Sequence, residues 1–496
     1  MPTTHATDTA PIPTKLKMLV PALIFACLVS AVVSSLGAPL LPAIAANYHV
    51  DGSSAQWALT ATLLTGAIAT PTMGRLGDGP LRRGVILTAL AVIAIGCAMA
   101  ALPLPFGWFL VGRVLQGLGL GLTPVSIAAA RDALPGGRSR SAVAMLSITT
   151  VTGVGLGYPI TGLISEWGGI RTAYWFGAIV AVVAIAVAIF VVPRSNIRTH
   201  QKLDVPGAIL LGIVLCALLL GVSEGEDWGW ASIRIISLLA GGVVLLAVWI
   251  WWELRTAFPL VNLRLVRHRS VLTADFAALL AGVGMYLLLS LAVRFVQTPT
   301  SSGYGLGKTA LIAGLVLVPF SAGSFIATRC LPAISSHLPQ RILLPMAAIV
   351  LLAGMLLFSF ARGSMWEMLI VMAVNGIGVG LVFAIVPGML LRAVDVSETA
   401  SAMGFNQVLR YVGYSVGSAL AGVILEIHTP AGTDVPSNSG YTISGLVSCA
   451  MWIAMGIVTI ILPMGRTAAE KAKEAVPTPA DEEELLAEES LADAEA

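Results

Sequence analysis

The chain has 496 residues, 57% of them hydrophobic and only 11% charged, with a mean hydropathy of +0.90, whereas a soluble domain carries about 25% charged residues. So few charges cannot cover a water-borne particle of this size, which excludes a soluble enzyme, a secreted disulfide scaffold and a disordered hub and leaves a membrane protein. The net charge of +2 hides a split, because residues 467–496 hold ten acidic groups against two lysines and the rest of the chain holds 26 basic and 16 acidic groups. Lys and Arg beside apolar spans follow the positive-inside rule, so this excess implies no nucleic-acid partner.

Apolar runs bounded by Pro, Gly and charge predict fourteen membrane helices, near 17–46, 54–73, 84–103, 107–130, 141–164, 172–193, 206–223, 233–252, 271–297, 308–330, 342–361, 366–391, 401–426 and 441–463. The first follows Lys15 and Lys17 and contains Ala43-Ile44-Ala45, but it is too long for a signal peptide and thirteen more spans follow it. With the N-terminus inside, 21 of the 28 basic residues lie in the cytoplasm and only Arg171, Arg234, Lys308 and Arg362 lie at outer junctions. Both tails are therefore expected in the cytoplasm. Glu224, Glu226 and Asp227 read as a solvated outer loop.

This gives an all-α polytopic architecture in five parts. A tail over 1–16 precedes a six-helix bundle over 17–193, a linker with two extra helices over 194–270, a second six-helix bundle over 271–463 and an acidic tail over 464–496. Paired six-helix halves mark a rocking secondary transporter. The tail, with Asp481-Glu482-Glu483-Glu484, cannot bury a core and is expected to be disordered. The five scattered cysteines read as small buried hydrophobes, and no histidine falls mid-span, so no metal or other cofactor is expected.

Between the second and third segments lies Gly74-Arg75-Leu76-Gly77-Asp78-Gly79-Pro80-Leu81-Arg82-Arg83. It resembles the G-x-L-a-D-x-x-G-R-R signature of the major facilitator superfamily, with Leu81 in place of the second glycine. Gly74 lets two helices approach, and Asp78 can bond a neighbouring helix end or arginine and so latch one conformation; Asp132, beside Arg131, reads as part of the same latch. Arg113-Val114-Leu115-Gln116-Gly117-Leu118-Gly119 resembles the superfamily's R-x-x-Q-G-x-G motif, associated with proton coupling. An arginine within a span faces a cavity or partner, or else snorkels to the interface, and both readings stand for Arg113.

Gly153-Val154-Gly155-Leu156-Gly157-Tyr158-Pro159-Ile160-Thr161-Gly162 is similar to the antiporter glycine and proline motif, although small residues four apart also serve generic helix packing. In the linker, Asp204-Val205-Pro206-Gly207, Trp228-Gly229-Trp230 and Glu253-Leu254-Arg255 look like the fourteen-helix drug:H+ antiporters of the QacA/EmrB type. The resemblance runs from 17 to 463 and implies proton-driven efflux of lipophilic drugs, dyes or antiseptics across a bacterial inner membrane, without catalysis. It also expects an acid in the first helix, where alignment on Pro42 places Val33.

Asp275 is the remaining candidate for the proton site, with an interfacial acid paired to Arg269 as its alternative. Arg410, ten residues into its span after Asn406 and Gln407, is a cavity candidate. A positive charge there leaves an anionic or zwitterionic lipid-like substrate open. Gln116, Tyr158, Tyr286, Asn406 and Tyr414 are candidates to line the pocket, or simply pack between helices. Gly303-Tyr304-Gly305-Leu306-Gly307-Lys308-Thr309 ends like a phosphate loop, but Ser302 replaces its first glycine and the outer face holds no ATP, so the drive is expected to come from protons. The rival functions are a dedicated exporter of a lipid or secondary metabolite with little proton coupling, and a membrane receptor or scaffold docking through its acidic tail.

Overall fold

A computed structural model of the chain describes residues 14–36, 40–50, 52–134, 136–194, 203–430, 433 and 435–461. The acidic tail and the side chains of Tyr158, Pro159, Glu226 and Asp227 lie outside the described residues. Within an apolar slab every backbone N–H and C=O must find a partner in its own segment, and the described regular structure is all helix.

The first part holds α1 (Thr14–Ser35), the short α2 (Leu41–Tyr48), α3 (Gly52–Gly77), α4 (Arg82–Ala101), α5 (Phe106–Leu118), α6 (Leu122–Ala133) and α7 (Gly136–Val191). A 3-10 turn at Gly119–Gly121 joins α5 to α6 as one membrane-length path, Phe106–Ala133. α7 carries two expected spans, and its backbone leaves helical geometry at Gly169 (φ 73°), where glycine is free of the steric penalty a side chain would meet. The linker forms α8 (Val205–Ser223), the one-turn α9 (Gly225–Trp228) and α10 (Ile233–Arg255). The last part holds α11 (Arg269–Gln297), α12 (Ala310–Leu315), α13 (Val318–His337), α14 (Gln340–Phe360), α15 (Met365–Ala393), α16 (Thr399–Ile427) and α17 (Asn438–Ile461).

Eleven of the described helices are long and apolar enough to cross a membrane, so length and apolarity alone do not reach the expected fourteen. Expected segment 17–46 divides into α1 and α2. In α3, five threonines dilute the apolar residues, and Thr62, Thr65 and Thr70 return their hydroxyls to carbonyls one turn back.

α1 packs along α7, α4 against α5 and α7, and α3 against α5. In the last part α11 runs along α16, α13 along α15, and α14 between α15 and α17. α11 and α16 cross almost backbone to backbone, since a Cβ at Gly413 would stand 2.5 Å from the Leu279 carbonyl oxygen. The two parts meet where α16 packs against α3 and α6 and where α7 packs against α13 and α15. α8 and α10 pair, with α8 leaning on α3.

Candidate gate and transport site

The ends of α3, α6 and α15 and the start of α16 gather at one end of the molecule, which brings the glycine and arginine loop after α3 against the last part. Gly74 lies so close to α16 that a Cβ there would stand 2.6 Å from the Ala400 carbonyl oxygen. Asp78, fully buried, accepts the Ala400 N–H at 2.6 Å, the Ser401 N–H at 2.9 Å and the Ser401 hydroxyl at 2.5 Å. A carboxylate thus meets the free N–H groups and positive dipole end of α16. Burial pushes the Asp78 carboxyl up to about 6, against the pull of those hydrogen bonds and of Arg82.

Arg82 pairs with Asp132 at 2.8 Å and donates to the Gly77 carbonyl at 2.7 Å, which holds the loop to the end of α6. Arg83 donates to the Ile189 carbonyl near the end of α7 at 2.7 Å. Arg131 reaches the other way. It donates to the Leu391 and Val394 carbonyls at 2.7 and 3.0 Å, at the C-terminus of α15, and to the Thr399 hydroxyl at 2.5 Å. A cation on one helix end and an anion on the next helix start hold the two parts together.

Arg113 is fully buried and does not snorkel. It donates to the Ala58 carbonyl at 2.8 Å, the Val33 carbonyl at 3.3 Å, the Ser34 carbonyl at 3.4 Å and Gln116 Oε1 at 2.5 Å. The position expected to supply an acid therefore supplies a backbone carbonyl, and Arg113 ties α1, α3 and α5 together through neutral oxygens.

Asp275 is 5% exposed and accepts from Asn406 Nδ2 at 2.9 Å, so the expected alternative of a pair with Arg269 is not the arrangement found. It lines a small cavity with Arg75, Asn262, Glu398 and Ser401, beside the gate. Asn406 Oδ1 in turn accepts from Arg410 Nε and Nη2, both at 3.4 Å. Arg410 is buried, with its guanidinium carbon 4.2 Å from the Phe383 ring centre. Tyr286 stacks on Tyr414 with ring centres 4.4 Å apart.

The family model described as Major Facilitator Superfamily matches residues 23–418. The chain belongs to that superfamily. An uncharacterized MFS-type transporter of Mycobacterium tuberculosis is 28% identical over 423 residues, covering 83% of this chain and 60% of that protein, so the chain spans about three fifths of its length. Multidrug resistance protein Stp of the same organism is 25% identical over 392 residues, 78% of this chain and 71% of that protein. The crystal structure of the human organic anion transporter MFSD10 (TETRAN) matches 90% of this chain and 100% of that one with a TM-score of 0.61 at 16% identity, which establishes the major facilitator fold.

In this facilitator, Gly74, Asp78, Arg82 and Asp132 fall in one cluster, the candidate gate, and Asp275, Asn406, Arg410, Tyr414 and Tyr286 form a second group. Among the described residues Arg113 and Asp275 share no hydrogen-bond partner. Gly153 lies against Ala31 of α1, Gly157 is buried, and Gly162 faces Leu311, so this stretch packs against both parts of the molecule. Three expectations change. Glu224 is buried rather than solvated, Cys330 is exposed and Cys216 only partly buried. Arg131 was not expected in this cluster, because its partners, two α15 carbonyls and the Thr399 hydroxyl, lie some 260 residues away and leave no mark beside it in the sequence.

Proposed function

We propose that this facilitator exports lipophilic small molecules of the multidrug kind in exchange for protons, rocking the bundles 17–193 and 271–463 about a central path. The observation that carries the reading is Asp275, an acid buried inside an apolar helix, held by a single amide and lining a cavity beside the gate. An acid within a span is functional by default, and a carboxyl that alternates between a dry and a wet setting takes up and releases a proton as it does so. The name of the Stp relative supports the drug-export half of the reading.

In this scheme the gate of Gly74, Asp78, Arg82, Arg83 and Asp132 closes the cytoplasmic side, both tails lie in the cytoplasm, and the membrane is the bacterial inner membrane. The stretch Gly153, Gly157, Pro159 and Gly162 is the interface that slides, and Arg113 fixes the geometry of the first bundle around Gln116. Tyr158, Tyr286, Asn406, Arg410 and Tyr414 face the substrate. The test is efflux of a lipophilic cationic dye from cells making this protein, with and without a protonophore, beside an empty-vector control. Protein-dependent efflux that collapses with the protonophore, and that Asp275→Asn abolishes, is the expected result. Unchanged proton-driven efflux by Asp275→Asn would remove Asp275 from the role.

A second reading is a dedicated exporter of a lipid or secondary metabolite with weak or no proton coupling. It is favoured by Arg113, whose acceptors are three backbone carbonyls and one amide oxygen. Dye efflux that is absent from cells shown to hold the protein in their membrane supports this reading over the first.

A further inference from the structure

Among the described residues, the second bundle buries hydrogen-bond donors that have no acceptor. Arg410 Nη1 and the Tyr414 hydroxyl lack a hydrogen-bond partner among those residues, although these two residues are 2% and 5% exposed, and Gln407, 2% exposed, stands beside them with its amide toward Tyr411. Spaced three and four residues apart on α16, they share one face of the helix. A guanidinium has five N–H donors and no acceptor, and leaving one unpaired in a dry site costs more than a hydrogen bond to it returns in water. Buried orphans of this kind ask for a missing partner.

The surroundings say which partner. Among the described residues Arg410 has only the Asn406 amide oxygen as acceptor, reached at 3.4 Å by two nitrogens, and the carboxylate next along, Asp275, meets that same amide. A cation entering here would add to a buried positive charge, whereas an anion would neutralise it and accept the free N–H and O–H groups together. Beside these donors stand the Phe383 ring face and the Tyr286–Tyr414 stack, which offer contact to a flat apolar body.

We infer that the face of α16 carrying Gln407, Arg410 and Tyr414 binds the anionic group of an amphipathic organic anion, a carboxylate, sulfonate or phosphate on an aromatic or acyl body, as the transported molecule. This rests on the second reading above, because the charge that complements Arg410 is brought by the substrate and not by a resident acid.

The test uses the full chain in lipid nanodiscs and two dyes with one ring system and opposite charge, fluorescein and rhodamine 6G, with binding read by fluorescence anisotropy. Wild type binds fluorescein, and Arg410→Gln lowers its affinity relative to rhodamine 6G by about tenfold, with Arg410→Lys between the two. Tyr414→Phe removes a hydroxyl that has no partner among the described residues, so its thermal midpoint does not fall while relative fluorescein affinity drops about threefold. A purely structural role for these groups predicts lower stability with an unchanged ratio of the two dyes. That result, or the absence of fluorescein binding to wild type, overturns the inference. Arg410-dependent binding without fluorescein movement in proteoliposomes keeps the site and removes the exporter reading.

Discussion

At neutral pH Asp78 carries its charge where almost no water reaches, and two backbone N–H groups and a hydroxyl of α16 stand in for the lost hydration. Burial against α16 raises this carboxyl to about 6, above the ordinary value near 3.9 expected wherever the two parts separate here, opening the proposed gate, and water returns. The closed form therefore holds the proton more tightly, so closure gains as pH falls from 7 through 6 toward 4, and that gain is lost as pH rises through 6. Spin labels at Gly84 and Val396, both exposed at the gate end, should report a shorter mean distance at pH 5 than at pH 8. Asp78→Asn, which mimics the protonated form, should remove this pH response, and Asp78→Ala should open the gate, losing roughly 2–3 kcal/mol of charge-assisted bonding. At Arg113, truncation to alanine should destabilise the detergent-solubilised protein by roughly 3 kcal/mol in a thermal-shift assay, because four oxygens on α1, α3 and α5 lose their donor. Arg113, Asp275 and Arg410 were legible as charges placed where apolar residues belong, and Asp78 from its place in the glycine and arginine signature between two spans. The partners of Asp78 and Arg113 were not, since Ala400, Val33 and Ala58 contribute only backbone atoms, which any residue type offers, whereas Asn406, the partner of Asp275 and Arg410, was itself a candidate.

Helix ends and helix crossings carry the next level. Arg131 at the end of α15 and Asp78 at the start of α16 each complement a helix dipole, worth about 0.3–1 kcal/mol when exposed and up to about 2 kcal/mol when partly buried. Arg131→Glu turns one of these into a repulsion with the α15 carbonyls and should lengthen the Gly84–Val396 distance at every pH, which the same spin labels would measure. Gly413→Val should cost roughly 1–3 kcal/mol in thermal stability because its side chain meets the Leu279 carbonyl. Gly241→Ala on α10, where a Cβ meets nothing within 4 Å, should hold or raise stability. Most helices followed from apolar runs, and the break at Gly169 falls between two expected segments. α3 is less apolar by composition than its neighbours because of its threonines, yet three of their hydroxyls are satisfied within the helix, a compensation that composition does not show.

Over the whole molecule the division into similar halves was legible from span lengths, while their meeting was not, because Asp78 and Ser401 lie over 300 residues apart. Large aromatics exposed at Trp108, Trp167 and Trp366 sit at starts or breaks of helices expected to share the outer face, as an interfacial belt would. Lipids brominated near the headgroup should quench single-tryptophan variants retaining one of these more than lipids brominated deep in the chain; the reverse depth order would shift the membrane boundary. The near contact of α11 and α16 has a mechanical consequence. Ser401 in the gate and Arg410 lie nine residues apart on one helix, roughly 13 Å of rise, and the glycine crossing clamps that helix to the one carrying Asp275. The pair is a single stiff lever with no slack joint between its arms, so a swing that frees one end necessarily re-aims the other.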